Sequence, residues 1–257
     1  MEQIPLWILF FGSLVFAVTA VELGYRLGAY LKSLGRAGDE AAIGTMVQST
    51  LALVAFLLAF TFGIAADRFN ERRLLIIDEA NSIGTTYLRS SYMPDALKEE
   101  TQKLLREYVS LRVHHPANPE EMSARFARTD KLQDLLWSGA VRFGKSEMNS
   151  DVAALYVDSL NETIDLHSKR VAAAFYARVP QVVWYALYTV IFLGLSSIGY
   201  LGGCSSTRSF AATTALAMSF AIVLLLIADL DRSTEGFLKS NLQPIQDLAK
   251  KIGAGDN

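Results

Sequence analysis

One cysteine in 257 residues, Cys204, rules out an intrachain disulfide framework and any cysteine-based zinc site. Charge is scarce and balanced: 19% of residues are charged and the net is −2, so the overall basic character of a nucleic-acid binder is missing. A glycine-rich phosphate loop, a GxSxG elbow, an HExxH pair and a deaminase-type zinc signature are absent as well. Of the three histidines, His114 and His115 precede a proline-containing loop and read as solvated, while His167 is a candidate for a helical core. No nucleophile is set beside a base, so the chain reads as a non-enzyme. Strand-like alternation of useful length does not occur.

What the chain does have is apolar mass. Hydrophobic residues make up 51% of it, concentrated in runs at about 4–25, 44–66, 179–202 and 210–228. Each reaches or approaches the ~20 residues that a helix needs to cross ~30 Å of hydrocarbon. Only Met1 and Glu2 precede the first run, with no Lys or Arg, so it is expected to remain as a span rather than be cleaved as a signal. With the N-terminus inside, eight Lys and Arg near the spans fall on the cytoplasmic side and four (Arg26, Lys32, Arg36, Arg208) outside. That excess predicts an inner-membrane protein with both termini cytoplasmic.

The expected plan is all-α: four transmembrane helices in two hairpins flanking a cytoplasmic helical bundle. The segments are 1–66 (first hairpin), 67–178 (cytoplasmic helices), 179–230 (second hairpin) and 231–257 (an amphipathic tail). Asn118-Pro119-Glu120-Glu121 is a helix start, with a capping side chain, a proline whose missing N–H costs nothing there, and acids at the positive end of the dipole. Pro94-Asp95 marks an earlier start, and Pro180 kinks or restarts the helix that enters the third span. Helical stripes run through Leu97, Leu104, Leu105, Tyr108 and Leu111, then Met122, Phe126, Leu132, Leu135 and Leu136, then Tyr156, Leu160, Ile164 and Val171. Leu242, Ile245 and Leu248 of the tail are available to lie on the bundle, and Trp184, Tyr185 and Tyr200 would form an aromatic belt.

The second span carries two candidate stripes. Gln48, Ala52, Phe56, Phe60 and Ile64 recur every fourth residue, with Thr45, Ser49 and Thr50 near the outer end. In a ring of identical subunits they could line a pore with an apolar neck that gates by dewetting; in a lone bundle they are core or lipid-facing surface. Ala52, Ala55, Ala59, Gly63 and Ala66 are small enough for close helix approach.

Past this span lies a polar cluster of Asp78, Glu79 and Asn81 with Gly84. Asn81 falls on the apolar side with Ile77 and Leu88, where an unpaired amide costs a few kcal/mol and requires a partner. Gly84 costs roughly 1 kcal/mol against alanine and suggests a packing reason. A buried structural network and a part in an ion path both fit. At the end of the fourth span Asp229, Asp231 and Glu235 oppose the helix dipole. Salt bridges to Arg68, Arg72, Arg73 or Arg232 would compensate them, and a hard cation such as calcium would also suit their oxygens. Glu22 and Arg26, one turn apart, read as a mutual pair.

The blocks LLAFTFGIAADRFNERR (Leu57 to Arg73), EANSIGTTYLR (Glu79 to Arg89), DLDRSTEGF (Asp229 to Phe237) and QPIQDL (Gln243 to Leu248) resemble those of the bestrophin-like membrane proteins of bacteria and plants. That family is distantly similar to bestrophins, which are pentameric anion channels. The resemblance implies a homo-oligomer, pentameric by analogy, with a second span that lines the pore and a neck at Phe56, Phe60 and Ile64. It also implies, from animal bestrophins, a calcium site at Asp229, Asp231 and Glu235, although their uninterrupted acidic run is absent here. The expected function is an ion channel for small inorganic anions in the lipid bilayer. Two other classes stay open: a non-conducting scaffold or sensor whose cytoplasmic helices bind a partner, and a component of an ion-driven motor or transport complex. The latter usually pairs with an intramembrane acid, and this chain has none at mid-membrane depth.

Overall fold

The computed structural model describes residues 5–36, 38–176, 178–232, 238 and 241–254. Among them are eight α-helices and no strand: α1 (Leu6–Ser33), α2 (Glu40–Arg89), α3 (Asp95–Ser110), α4 (Pro119–Ser146), α5 (Asp151–Phe175), α6 (Gln181–Ser205), α7 (Phe210–Asp231) and α8 (Gln243–Ile252). The helices α1, α2, α6 and α7 are long and apolar enough to cross a membrane. The chain forms two compact units, residues 1–69 with 178–239 and residues 70–177 with 240–257. The 50-residue helix α2 contributes to both.

In the first unit α1 lies along α6 and also meets α7. Between lipid-bathed helices there is no hydrophobic gain from association, so close backbone packing must supply the attraction. Gly24 and Gly28 of α1 face Gly199 and Gly203 of α6: a Cβ on Gly24 would fall 1.9 Å from the Ser196 carbonyl oxygen, and one on Gly199 1.9 Å from that of Val21. The small stripe on α2 takes no part in this α1–α6 contact, and only Ala66 of it packs against the core of the unit. Ala52, Ala55 and Ala59 are exposed and a Cβ at Gly63 would meet nothing within 4 Å. Instead α2 buries Val47, Val54, Leu58, Thr61 and Ala65, one face of a 3.6-residue helix. Trp184, expected in an interfacial belt, is 4% exposed and lies 6.4 Å from the Tyr188 ring; Tyr185 is exposed, as a belt requires.

In the second unit residues 70–89 of α2 join α3, α4, α5 and α8 around Ile83, Leu105, Tyr108, Leu132, Leu136, Tyr156 and Leu160. The start of α4 is as the sequence indicates: Asn118 Oδ1 accepts the Glu121 amide at 2.8 Å, with Pro119 in the first turn. Leu135 departs from its predicted stripe and is exposed, because the inward face of α4 runs through Leu132, Leu136, Ala140 and Phe143. Helix α5 ends at Phe175 and α6 begins after Pro180, so the proline separates two helices rather than kinking one. The tail helix α8 buries Ile245, Leu248, Ala249 and Ile252, and Arg106 Nε donates to the Ile252 carbonyl at 2.8 Å.

Candidate functional site

Helix α2 presents its unburied side over the whole apolar stretch. Gln48 and Ala52 are exposed, Phe56 and Phe60 are 64% and 61% exposed, and their rings lie nearly parallel with centroids 6.3 Å apart. The last member of the sequence-read stripe does not join them: Ile64 is half-buried against the core of the first unit. The reason is geometric. A repeat of four on a 3.6-residue helix drifts about 40° per step, so five positions wind through roughly 160° and cannot share one face. Directly opposite the buried face lie Thr45, Ser49, Ala52 and Phe56, all exposed.

The polar cluster after this stretch is not a single site either. Asp78 and Asn81 are exposed while Glu79 is fully buried, since successive residues on a helix point about 100° apart. Asn81 therefore lies on an exposed side of the subunit, not against its core. A Cβ on Gly84 would sit 3.4 Å from Leu248 Cδ1, so the glycine accommodates α8. Ser82, two residues from Gly84, bonds to Thr163 Oγ1 on α5 at 2.8 Å, and Thr86 reaches the same hydroxyl at 3.1 Å.

Glu79 occupies the inward face between Ile76 and Ile83. Arg112, just beyond the end of α3, places Nε 2.9 Å from Glu79 Oε1 and its guanidinium 3.5 Å from the centroid of the Tyr108 ring. Arg170 on α5 brings Nη1 to 2.5 Å from Glu79 Oε2. His167, one turn earlier on α5, has Nδ1 3.0 Å from Arg112 Nη2 and 3.5 Å from Glu79 Oε1. A guanidinium can only donate, so Nδ1 accepts, the ring proton is on Nε2 and the imidazole is neutral. Burial opposes ionisation of the Glu79 carboxyl, but the charges of Arg170 and Arg112 hold it down at about 2. Burial also pushes the His167 pKa below its ordinary value; the pull of Glu79 opposes this, and the arginine charges reinforce it. One carboxylate between two guanidinium groups is a buried, charge-assisted cross-brace. The sequence reading missed its arginines. The signal was available: Arg112 follows Tyr108 by one turn, and Arg170 continues the inward line Tyr156, Leu160, Thr163, His167, where a charge needs a partner.

At the end of α7, Asp231 Oδ1 accepts the Val179 amide at 2.8 Å and Asp229 Oδ2 accepts the Leu238 amide at 3.1 Å. Both carboxylates thus hold chain segments within the first unit. Glu235, the third calcium candidate, lies outside the described residues. Among the described residues no group of three or more acidic, histidine or cysteine side chains is assembled to hold a metal ion such as calcium.

The profile of the bestrophin-like domain matches residues 10–239. The chain belongs to the bestrophin-like family. Its fold is similar to that of a bacterial bestrophin homologue from Klebsiella pneumoniae, at 14% identity over 96% of each chain with a TM-score of 0.62. A single-substitution variant of that protein gives 15% identity, 96% of each chain and 0.63. A structure described only as that of a membrane protein variant gives 16% identity, 95% of each chain and 0.66. At these identities the likeness is one of fold. No curated protein matches the sequence significantly. As a bestrophin-like protein with four membrane-competent helices, the chain is an integral membrane protein.

Proposed function

We propose that this bestrophin-like protein is an oligomeric membrane channel for small inorganic anions, with the second helix of each subunit lining the pore. The carrying observation is the two-sided character of α2 in the first unit. One face is buried through Val54, Leu58 and Ala65, while the other leaves Gln48, Ala52, Phe56 and Phe60 without a covering helix. Two phenyl groups at 61–64% exposure, one turn apart, suit a ring of symmetry-related copies in which they form a narrow apolar neck. Polar groups at Gln48, Ser49 and Thr45 would meet the ion on one side of that neck. Ile64, half-buried against the core of its own unit, would stand at the margin of that neck. Five copies is the number the family resemblance implies. Selectivity on this reading comes from neutral polar groups and pore width, not from a fixed charge at the neck.

The test is planar-bilayer recording of the purified protein under a chloride gradient, with Phe60→Ala beside the wild type. Currents that reverse near the chloride equilibrium potential and change in the variant are expected. Folded oligomers that stay silent across voltages would overturn the channel and leave the scaffold reading; cation currents would overturn anion selectivity alone.

A further inference from the structure

Helices α1, α6 and α7 enclose an open groove of about 600 Å³ whose apolar lining includes Val18, Val21, Ile198 and Leu216, beside hydroxyl side chains such as Thr213. Its rim is charged. Glu22 Oε1 accepts from Arg26 Nε at 2.8 Å and Glu22 Oε2 from Arg208 Nη2 at 3.0 Å, and Arg208 also lies 5.2 Å from the centroid of the Tyr25 ring. Arg208, Glu22 and Tyr25 line the groove themselves. Two guanidinium groups share one carboxylate, so the rim has one positive charge in excess. Five N–H donors on each guanidinium exceed what a single carboxylate can accept. The Arg26 and Arg208 side chains are 75% and 60% exposed, free to reach a further anion.

We propose that this groove binds one anionic phospholipid, with its phosphate at Arg208 and Arg26 and an acyl chain along Val18, Val21, Ile198 and Leu216. A largely apolar slot between membrane-spanning helices, with excess positive charge at its rim, is complementary to an amphiphile with a negative head. A zwitterionic ethanolamine head fits less well, because its ammonium enters a rim where cations already outnumber the carboxylate. A diacylglycerol fills the slot but leaves the arginines without their anion. Tyr25 gives the rim the aromatic character of an interfacial residue.

Native mass spectrometry of the delipidated, purified protein, titrated with phosphatidylglycerol, phosphatidylethanolamine or diacylglycerol, tests this. The wild type should take up one phosphatidylglycerol per subunit in preference to the other two. Arg208→Gln should lower that uptake at least five-fold with diacylglycerol unchanged, and Val18→Trp should lower it while leaving both arginines intact. Both positions are exposed enough for the variants to fold, and thermal melts verify this. Equal uptake of the three lipids, or uptake unmoved by either substitution, would overturn the site. Loss of the adduct at millimolar inorganic phosphate with no effect of Val18→Trp would show a plain anion site instead and also reject the lipid.

Discussion

Arg112 and Glu79 meet at 2.9 Å in the core of the second unit, the arginine side chain 3% exposed and the carboxylate not at all. Such a pair is costly to bury and more costly to break, because removing one partner leaves the other charged and dry.

Glu79→Gln, which keeps the shape and removes the charge, should therefore destabilise the protein by about 3–5 kcal/mol, since Arg112 and Arg170 would face each other unneutralised. Chemical denaturation in detergent reads this. Glu79→Gln combined with Arg112→Gln should be less destabilised than the sum of the two single changes. Additive effects would mean that the two side chains do not act together.

Acid should weaken the fold in two stages. His167 titrates below its ordinary value when folded, so below about pH 6.5 the unfolded chain binds a proton that the folded chain refuses, and stability falls with pH. Glu79, held at about 2, adds a second loss as pH drops from about 4.3 towards that value. Melting temperature against pH should show both limbs, and His167→Gln should flatten the upper one. An upper limb unchanged in that variant would assign it to another group.

The α1–α6 contact should not tolerate a methyl group. Gly199→Ala places a Cβ against the Val21 carbonyl oxygen, where the present backbone leaves 1.9 Å, so the helices must separate. Melting in detergent should fall by several degrees, whereas Gly63→Ala, in open space on α2, should have little effect on the isolated subunit.

Water access distinguishes the two sides of α2. In a Cys204→Ser background, cysteine at Gln48 or Ala52 should react rapidly with a charged, water-soluble thiol reagent in the assembled oligomer. Cysteine at the buried Val54 should not. Protection of all three positions would place the exposed stripe in a subunit contact or in lipid.

Most of the architecture was legible in the chain. Four apolar runs became the four membrane-competent helices, and Asn118 and Pro180 mark helix boundaries as their chemistry requires. The candidate sites were less legible. Asp78, Glu79 and Asn81 are neighbours in sequence, yet the helix turns Glu79 inward and leaves the other two outside. The every-fourth spacing grouped Ile64 with Phe60, although the accumulated drift carries Ile64 to the packed side.

Span length, helix type and capping depend on residues within a turn or two of one another, so the sequence by itself determined them. Three features were decided only by tertiary structure: the arginines that neutralise Glu79, the glycines that let α1 and α6 touch, and the second arginine that Glu22 accepts. Each joins residues far apart in the chain, as from Glu22 to Arg208, 186 positions on. Local preference is blind to such pairings. They follow from which helical faces remain to be buried once the helices exist, and from the need of every buried charge for a partner.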